Sequence, residues 1–181
     1  MSWLDDVVQP VLAEVALTDL AERPLAEIRA MRARCQSVEA SVSFLRRLVQ
    51  GRLDVLHAVL DHREDGGAGA DVASLVEELP AILAAGPPRP QAGRQAVLVE
   101  PSEEEQDRLV AELDAMVPAA TLAVLAERSD EELAADAARL GDLEAALSSA
   151  RRALHERIDR LEQEIVSRYK SGEATVDELL A

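Results

Sequence analysis

Apolar residues occupy Val42, Leu45, Val49 and Leu53, and the same offsets recur 105 positions on, counting from Val42 to Leu147, at Leu147, Ala150, Leu154 and Ile158. Steps of three and four put each set on one face of a helix, as a seam for burial against a neighbour. The periodicity continues on both sides and predicts two long helices, over about 24–63 and 130–170. Pro24 suits the first turn of the first helix, and the glycines within 64–70 end it. Ser129 with Glu132 reads as a capping box opening the second, with Ser171 and Gly172 as its stop. The connection over 64–129 predicts a short helix at 71–83 and a stiff proline-rich linker from Gly86 to about Arg94. A further helix is expected at 103–116, opened by Ser102 with Glu105 and closed before Pro118. Residues 1–23 form a weakly helical segment, with Trp3, Leu4, Val7, Val8, Leu12 and Val15 on its apolar side and Pro10 as an interruption or kink. Residues 24–181 make one domain, in which 173–181 add a turn or fray. Two long helices joined by a compact connection pack most simply as an antiparallel, coiled-coil-like hairpin, so the fold class is all-α.

Polar positions repeat with the seam. Glu39, Ser43, Arg46, Gln50 and Asp54 follow E-x3-S-x2-R-x3-Q-x3-D, and Glu144, Ser148, Arg151, His155 and Asp159 follow it with His in place of Gln. At about 100° per residue each set spans roughly 80° of the helix surface, so it forms one polar stripe beside the seam. In an antiparallel pair of equivalent helices the local two-fold axis is normal to their common plane, which brings both stripes onto one face. Centring the repeats on each other predicts Glu39 near Asp159, Ser43 near His155, Gln50 near Ser148 and Asp54 near Glu144, with Arg46 and Arg151 in the middle. Two carboxylates would then meet at each end of a groove roughly 24 Å long.

Composition narrows the function. With 48% hydrophobic but only 2% aromatic residues, the core is built from Ala, Leu and Val, which favours helix. A net charge of −16 argues against non-specific nucleic-acid binding and fits a basic protein partner. The exception is a group of arginines, Arg46, Arg47, Arg52, Arg151, Arg152, Arg157 and Arg160, gathered in or beside the repeats, where an anion is the expected occupant. The lone Cys35 excludes an internal disulfide, and no Cys or His pair has the spacing of a metal site. Without a secretory signal or a run of about 20 apolar residues, the chain is expected in the cytoplasm and not in a membrane.

Facing carboxylates need donors between them, and the arginines need negative charge. Guanine offers N7 and O6 acceptors to a guanidinium and N–H donors to a carboxylate, while phosphate suits arginine and serine. A two-fold-symmetric guanine dinucleotide such as cyclic di-GMP meets both demands, and the length of the groove admits two stacked copies.

The doubled pattern, together with Ser43-Phe44-Leu45-Arg46-Arg47-Leu48-Val49-Gln50-Gly51-Arg52-Leu53-Asp54 and Arg168-Tyr169-Lys170-Ser171-Gly172-Glu173-Ala174, resembles the RsiG anti-sigma factors of actinobacteria, mainly over 24–62 and 130–181. The resemblance implies an antiparallel helical protein that binds an intercalated cyclic di-GMP dimer and, with the ligand as a clamp, sequesters a WhiG-type sporulation sigma factor. It carries ligand contacts onto Glu39, Ser43, Arg46, Gln50 and Asp54, and onto Glu144, Ser148, Arg151 and Asp159. His155 departs from the pattern; an imidazole donates or accepts, and its protonation would make binding pH-dependent. On this reading the acidic runs Glu103–Glu105 and Asp130–Glu132 are candidates for the basic surfaces of a sigma factor.

An enzyme is not expected, because open stripes offer neither a nucleophile with an activating base nor paired carboxylates in a closed pocket. His57 and His62 read as surface residues, and Trp3, Phe44 and Tyr169 are too scattered for base stacking. Gly51 inside a helix hints at a close approach by another molecule. The rival reading is an acidic coiled-coil scaffold that binds a protein partner without nucleotide.

Overall fold

A computed structural model describes residues 3–64 and 100–172. The helix expected at 71–83, the proline-rich linker and the 173–181 tail lie outside the described residues. Four α-helices and no strands occur among those described: α1 (Gln9–Glu14), α2 (Leu25–Glu64), α3 (Glu103–Met116) and α4 (Asp130–Ser171). α2 and α4, each about 60 Å long, pack against one another as the frame of the molecule.

Local chemistry sets the helix ends. Arg23 is extended, as a residue before proline must be, and the Pro24 carbonyl accepts from the N–H groups of Glu27 and Ile28. Ser129 caps α4 by accepting from the Glu132 N–H, and the Glu132 carboxylate accepts in return from the Ser129 N–H at 3.0 Å. That bond holds the Glu132 carboxyl below the usual carboxylate range. Gly172 closes the helix at φ 79°, a left-handed conformation that costs glycine little. Ser102 caps α3 by accepting from the Glu105 N–H, without the return bond that Glu132 makes to Ser129.

The seam is buried as its periodicity requires. Val42, Leu45, Val49 and Leu56 of α2 meet Leu140, Leu147, Leu154 and Leu161 of α4 in one continuous core. The N-terminal segment belongs to that core as well. Trp3, Val8, Val11, Val15 and Leu20 are buried, and the Trp3 indole N–H donates to Glu105 of α3 at 2.9 Å. Pro10 does not break this segment, because a π-helical turn over Leu4–Val8 leads into α1 and leaves the proline in the first turn, where its missing N–H is tolerated.

On a helical wheel the stripes lie to one side of the seam, while Arg52 and Arg157 lie to the other. These two arginines hold equivalent offsets in the repeat and do equivalent work. Arg52 donates to the Val117 carbonyl and pairs with Asp114, whereas Arg157 donates to the Leu12 carbonyl at 2.8 Å. Arg168 likewise holds the carbonyls of Leu20 and Arg23, and Arg63 those of Leu125 and Arg128. The N-terminal segment and α3 are thereby fastened to one face of the hairpin. Among the described residues, none outside the two long helices bonds to a stripe residue on the other face. No helix of the described residues is long and apolar enough to cross a membrane.

Candidate functional site

The two stripes meet across the hairpin, in a register other than the one that centring the repeats predicts. Gln50 Nε2 donates to Glu144 at 3.1 Å, and Arg151 Nε donates to both Glu39 at 3.0 Å and the Ser43 hydroxyl at 2.9 Å. His155 Nε2 lies 3.2 Å from Glu39, and Arg46 lies 3.8 Å from Glu144. Within each helix the serine one turn on donates to the same carboxylate, Ser43 to Glu39 at 2.6 Å and Ser148 to Glu144 at 2.9 Å. The pairs respect the repeat, since Glu39 with Arg151 and His155 mirrors Glu144 with Arg46 and Gln50. The local two-fold axis therefore passes near Leu45 and Ala150, and one helix is slid by about one turn from the expected register.

That slide overturns the expected meeting of carboxylates. Glu39 faces His155 and Arg151 instead of Asp159, and Glu144 faces Gln50 and Arg46 instead of Asp54. Ser43 meets Arg151 where His155 was expected, and Gln50 meets Glu144 where Ser148 was expected. Asp54 and Asp159 are exposed and form no ion pair among the described residues. The physical reason is charge: a seam of Leu, Val and Ala tolerates a shift of one turn, and the shifted register sets each stripe glutamate against a cation or amide donor of the other helix.

The arginine group divides as well. Arg46, Arg151 and Arg152 line an open cleft of about 270 Å³ together with Ser148 and His155. Arg52 and Arg157 are committed to carbonyls on the opposite side of the seam, and Arg47 and Arg160 stand exposed. An anion thus has three cations of the seven to meet, not the whole group. Arg152 lies within the repeat, one position after Arg151 and outside the five-residue pattern, and the sequence alone does not separate it from its equivalent Arg47, which does not line the cleft. Gly51, read as a point of close approach, faces open space, as a Cβ there would meet nothing within 4 Å.

The half-sites are unequal. Around Glu39 the arginine is bound twice; around Glu144 it stands off, and the glutamate is held by an amide and a hydroxyl. Each carboxylate is already satisfied within the chain. Any anion or donor group brought to this face would have to exchange bonds with the ones these side chains already make. The cleft is open on one side, so an occupant would lie across the face instead of being enclosed.

A family model described as RsiG-like matches residues 14–83 and 119–181, more than half of the chain. No curated protein matches it.

Proposed function

The chain belongs to the RsiG-like family, a regulator of that kind, and from that premise we propose that it is an anti-sigma factor that takes cyclic di-GMP on its paired stripes and, with the ligand as clamp, sequesters a WhiG-type sporulation sigma factor. The observation that carries the reading is the two-fold relation of the stripes across the hairpin. Equivalent glutamates, serines and arginines of α2 and α4 converge around one axis, and a cyclic dinucleotide has the same symmetry. Arg46, Arg151 and Arg152 offer the phosphates their cations in a chain that is otherwise strongly acidic. Glu39, Glu144, Asp54 and Asp159 offer acceptors to guanine N–H groups, and Ser43, Ser148, Gln50 and His155 complete the hydrogen bonding. The acidic exterior then suits a partner whose own surfaces are basic.

A second reading has an observation of its own. Because Glu39 and Glu144 are satisfied internally, the network stands without a ligand, as it would in an acidic scaffold that binds a protein and no nucleotide. Equilibrium dialysis of the full chain against radiolabelled cyclic di-GMP, with and without the sigma factor, separates the two. Saturable binding that strengthens when the sigma factor is present supports the anti-sigma reading. A complex that forms equally well without nucleotide, or dissociates as it is added, refutes it and leaves the scaffold.

A further inference from the structure

The two halves of the site differ in one residue that titrates. Gln50 beside Glu144 is neutral at every pH, whereas its equivalent beside Glu39 is His155, and an imidazole changes charge between about pH 5 and 8. Its Nε2 is buried, 3.2 Å from the same Glu39 Oε1 that accepts from Arg151 and Ser43, yet makes no hydrogen bond. The charged groups around His155 are Glu39 and Arg46 on α2, with Arg151 and Arg152 one turn back on α4 and Asp159 one turn on.

Arg151 holds Glu39 and Ser43 through Nε, and its Nη groups carry four further N–H donors for a second anion. A phosphate in the cleft would share that guanidinium with Glu39, and His155, which lines the same cleft, stands 3.2 Å from the carboxylate. Between two anions a neutral imidazole contributes little; an imidazolium is attracted to both. We propose that the entry of a phosphodiester anion into the cleft is coupled to protonation of His155, which becomes a second cation, beside Arg151, between that anion and Glu39. This rests on the nucleotide reading above. No such coupling operates around Glu144, where the equivalent position is held by the Gln50 amide.

The sign follows from linkage. The incoming phosphate adds negative charge beside His155 and draws part of the Arg151 charge away from Glu39; both favour the imidazolium. The bound state therefore holds more protons than the free state, and affinity rises as pH falls through the imidazole range. The phosphodiester itself does not titrate there, which leaves the protein as the source of the effect.

Isothermal titration calorimetry of the full chain with cyclic di-GMP, in buffers of different ionisation enthalpy, counts the protons taken up. Wild type is expected to take up a fraction of a proton near neutrality and to bind about threefold or more tightly at pH 5.5 than at pH 7.5. His155→Gln, which restores the equivalence with Gln50, is expected to bind at both pH values with little change and no uptake. Wild-type binding that is pH-invariant with no proton uptake overturns the coupling and leaves the nucleotide reading standing. So does a pH dependence that survives in His155→Gln, which would belong to His57, His62 or the carboxylates. Absence of binding at either pH overturns the nucleotide reading itself, and the coupling with it.

Discussion

Arg46 and Arg151 are equivalent in the repeat but not in the fold, so their removal should have opposite rank orders on binding and on stability. Arg46 sits 3.8 Å from Glu144, with both side chains about a quarter exposed, and makes no hydrogen bond. A pair of that kind contributes about 0–1 kcal/mol to stability. Arg46→Ala should therefore shift the urea midpoint little, while a lost hydrogen bond to a charged group costs ligand binding about 1.5–3 kcal/mol, or roughly 10- to 150-fold in affinity. Arg151 donates to Glu39 and Ser43 in the free chain, and its side chain is 41% exposed. Its removal should cost stability about 1 kcal/mol after discounting for solvent screening. It should also cost less affinity than Arg46→Ala, because Arg151 shares its charge with Glu39 in the free chain and has less to gain from an anion. Equilibrium dialysis with cyclic di-GMP and urea titration followed by circular dichroism measure the two quantities on the same samples. Arg46→Ala with wild-type affinity, or with a stability loss greater than that of Arg151→Ala, would refute the reasoning.

Other expectations follow from the same geometry. In a Cys35→Ala background, cysteines at positions 43 and 151 should be joined by a short bifunctional thiol reagent faster than cysteines at 43 and 155; the reverse order restores the centred register. Replacing both Asp54 and Asp159 with Ala should change stability by no more than about 0.5 kcal/mol, since neither is paired; it should remove ligand-dependent sigma binding in a pull-down if these carboxylates read guanine. Trp3→Ala should cost about 3–5 kcal/mol in urea titration, and a loss under about 1 kcal/mol would mean that the N-terminal segment is not fastened to the hairpin. Because the Glu132 carboxyl is held below its usual range, its contribution is present above the ordinary carboxylate value and is lost as pH falls through the depressed one. The difference in Tm between wild type and Glu132→Ala should accordingly shrink on acidification.

What the sequence displayed was local. The caps at Ser102 and Ser129, the stop at Gly172 and the seam from Val42 to Leu53 depend on residues within a few positions of one another, and each stands where its spacing placed it. The register was not local, since the apolar seam accepts a slide of one turn and the choice is made by the reach of Arg151 and Gln50 across the interface. Nor did the arginine group declare its division, although the wheel holds the distinction: Arg46 and Arg151 lie with the stripes, and Arg52 and Arg157 lie beyond the seam. Charge clustering along the chain masked that angle. The docking of Trp3 on α3, roughly a hundred residues away, had no signal beyond the apolar side of its own segment.

One duplicated unit thus supplies both faces of the hairpin. Arg52 and Arg157 hold the carbonyls of connecting segments, which closes one face with the chain's own residues; the stripes on the other face hold each other. A ligand on the open face gains only the difference between its bonds and the internal ones it displaces, so binding to the free chain is weaker than a count of its contacts would give. A partner that covers the bound ligand changes that balance, because the same bonds then form in a drier, lower-dielectric setting. By reciprocity a ligand covered in this way would, on the proposed reading, strengthen the partner's grip by the same factor, and couplings of this kind are typically about 1–3 kcal/mol. The internally satisfied network, which favours a scaffold when viewed alone, is on the anti-sigma reading what keeps the nucleotide's full effect in reserve until the partner arrives.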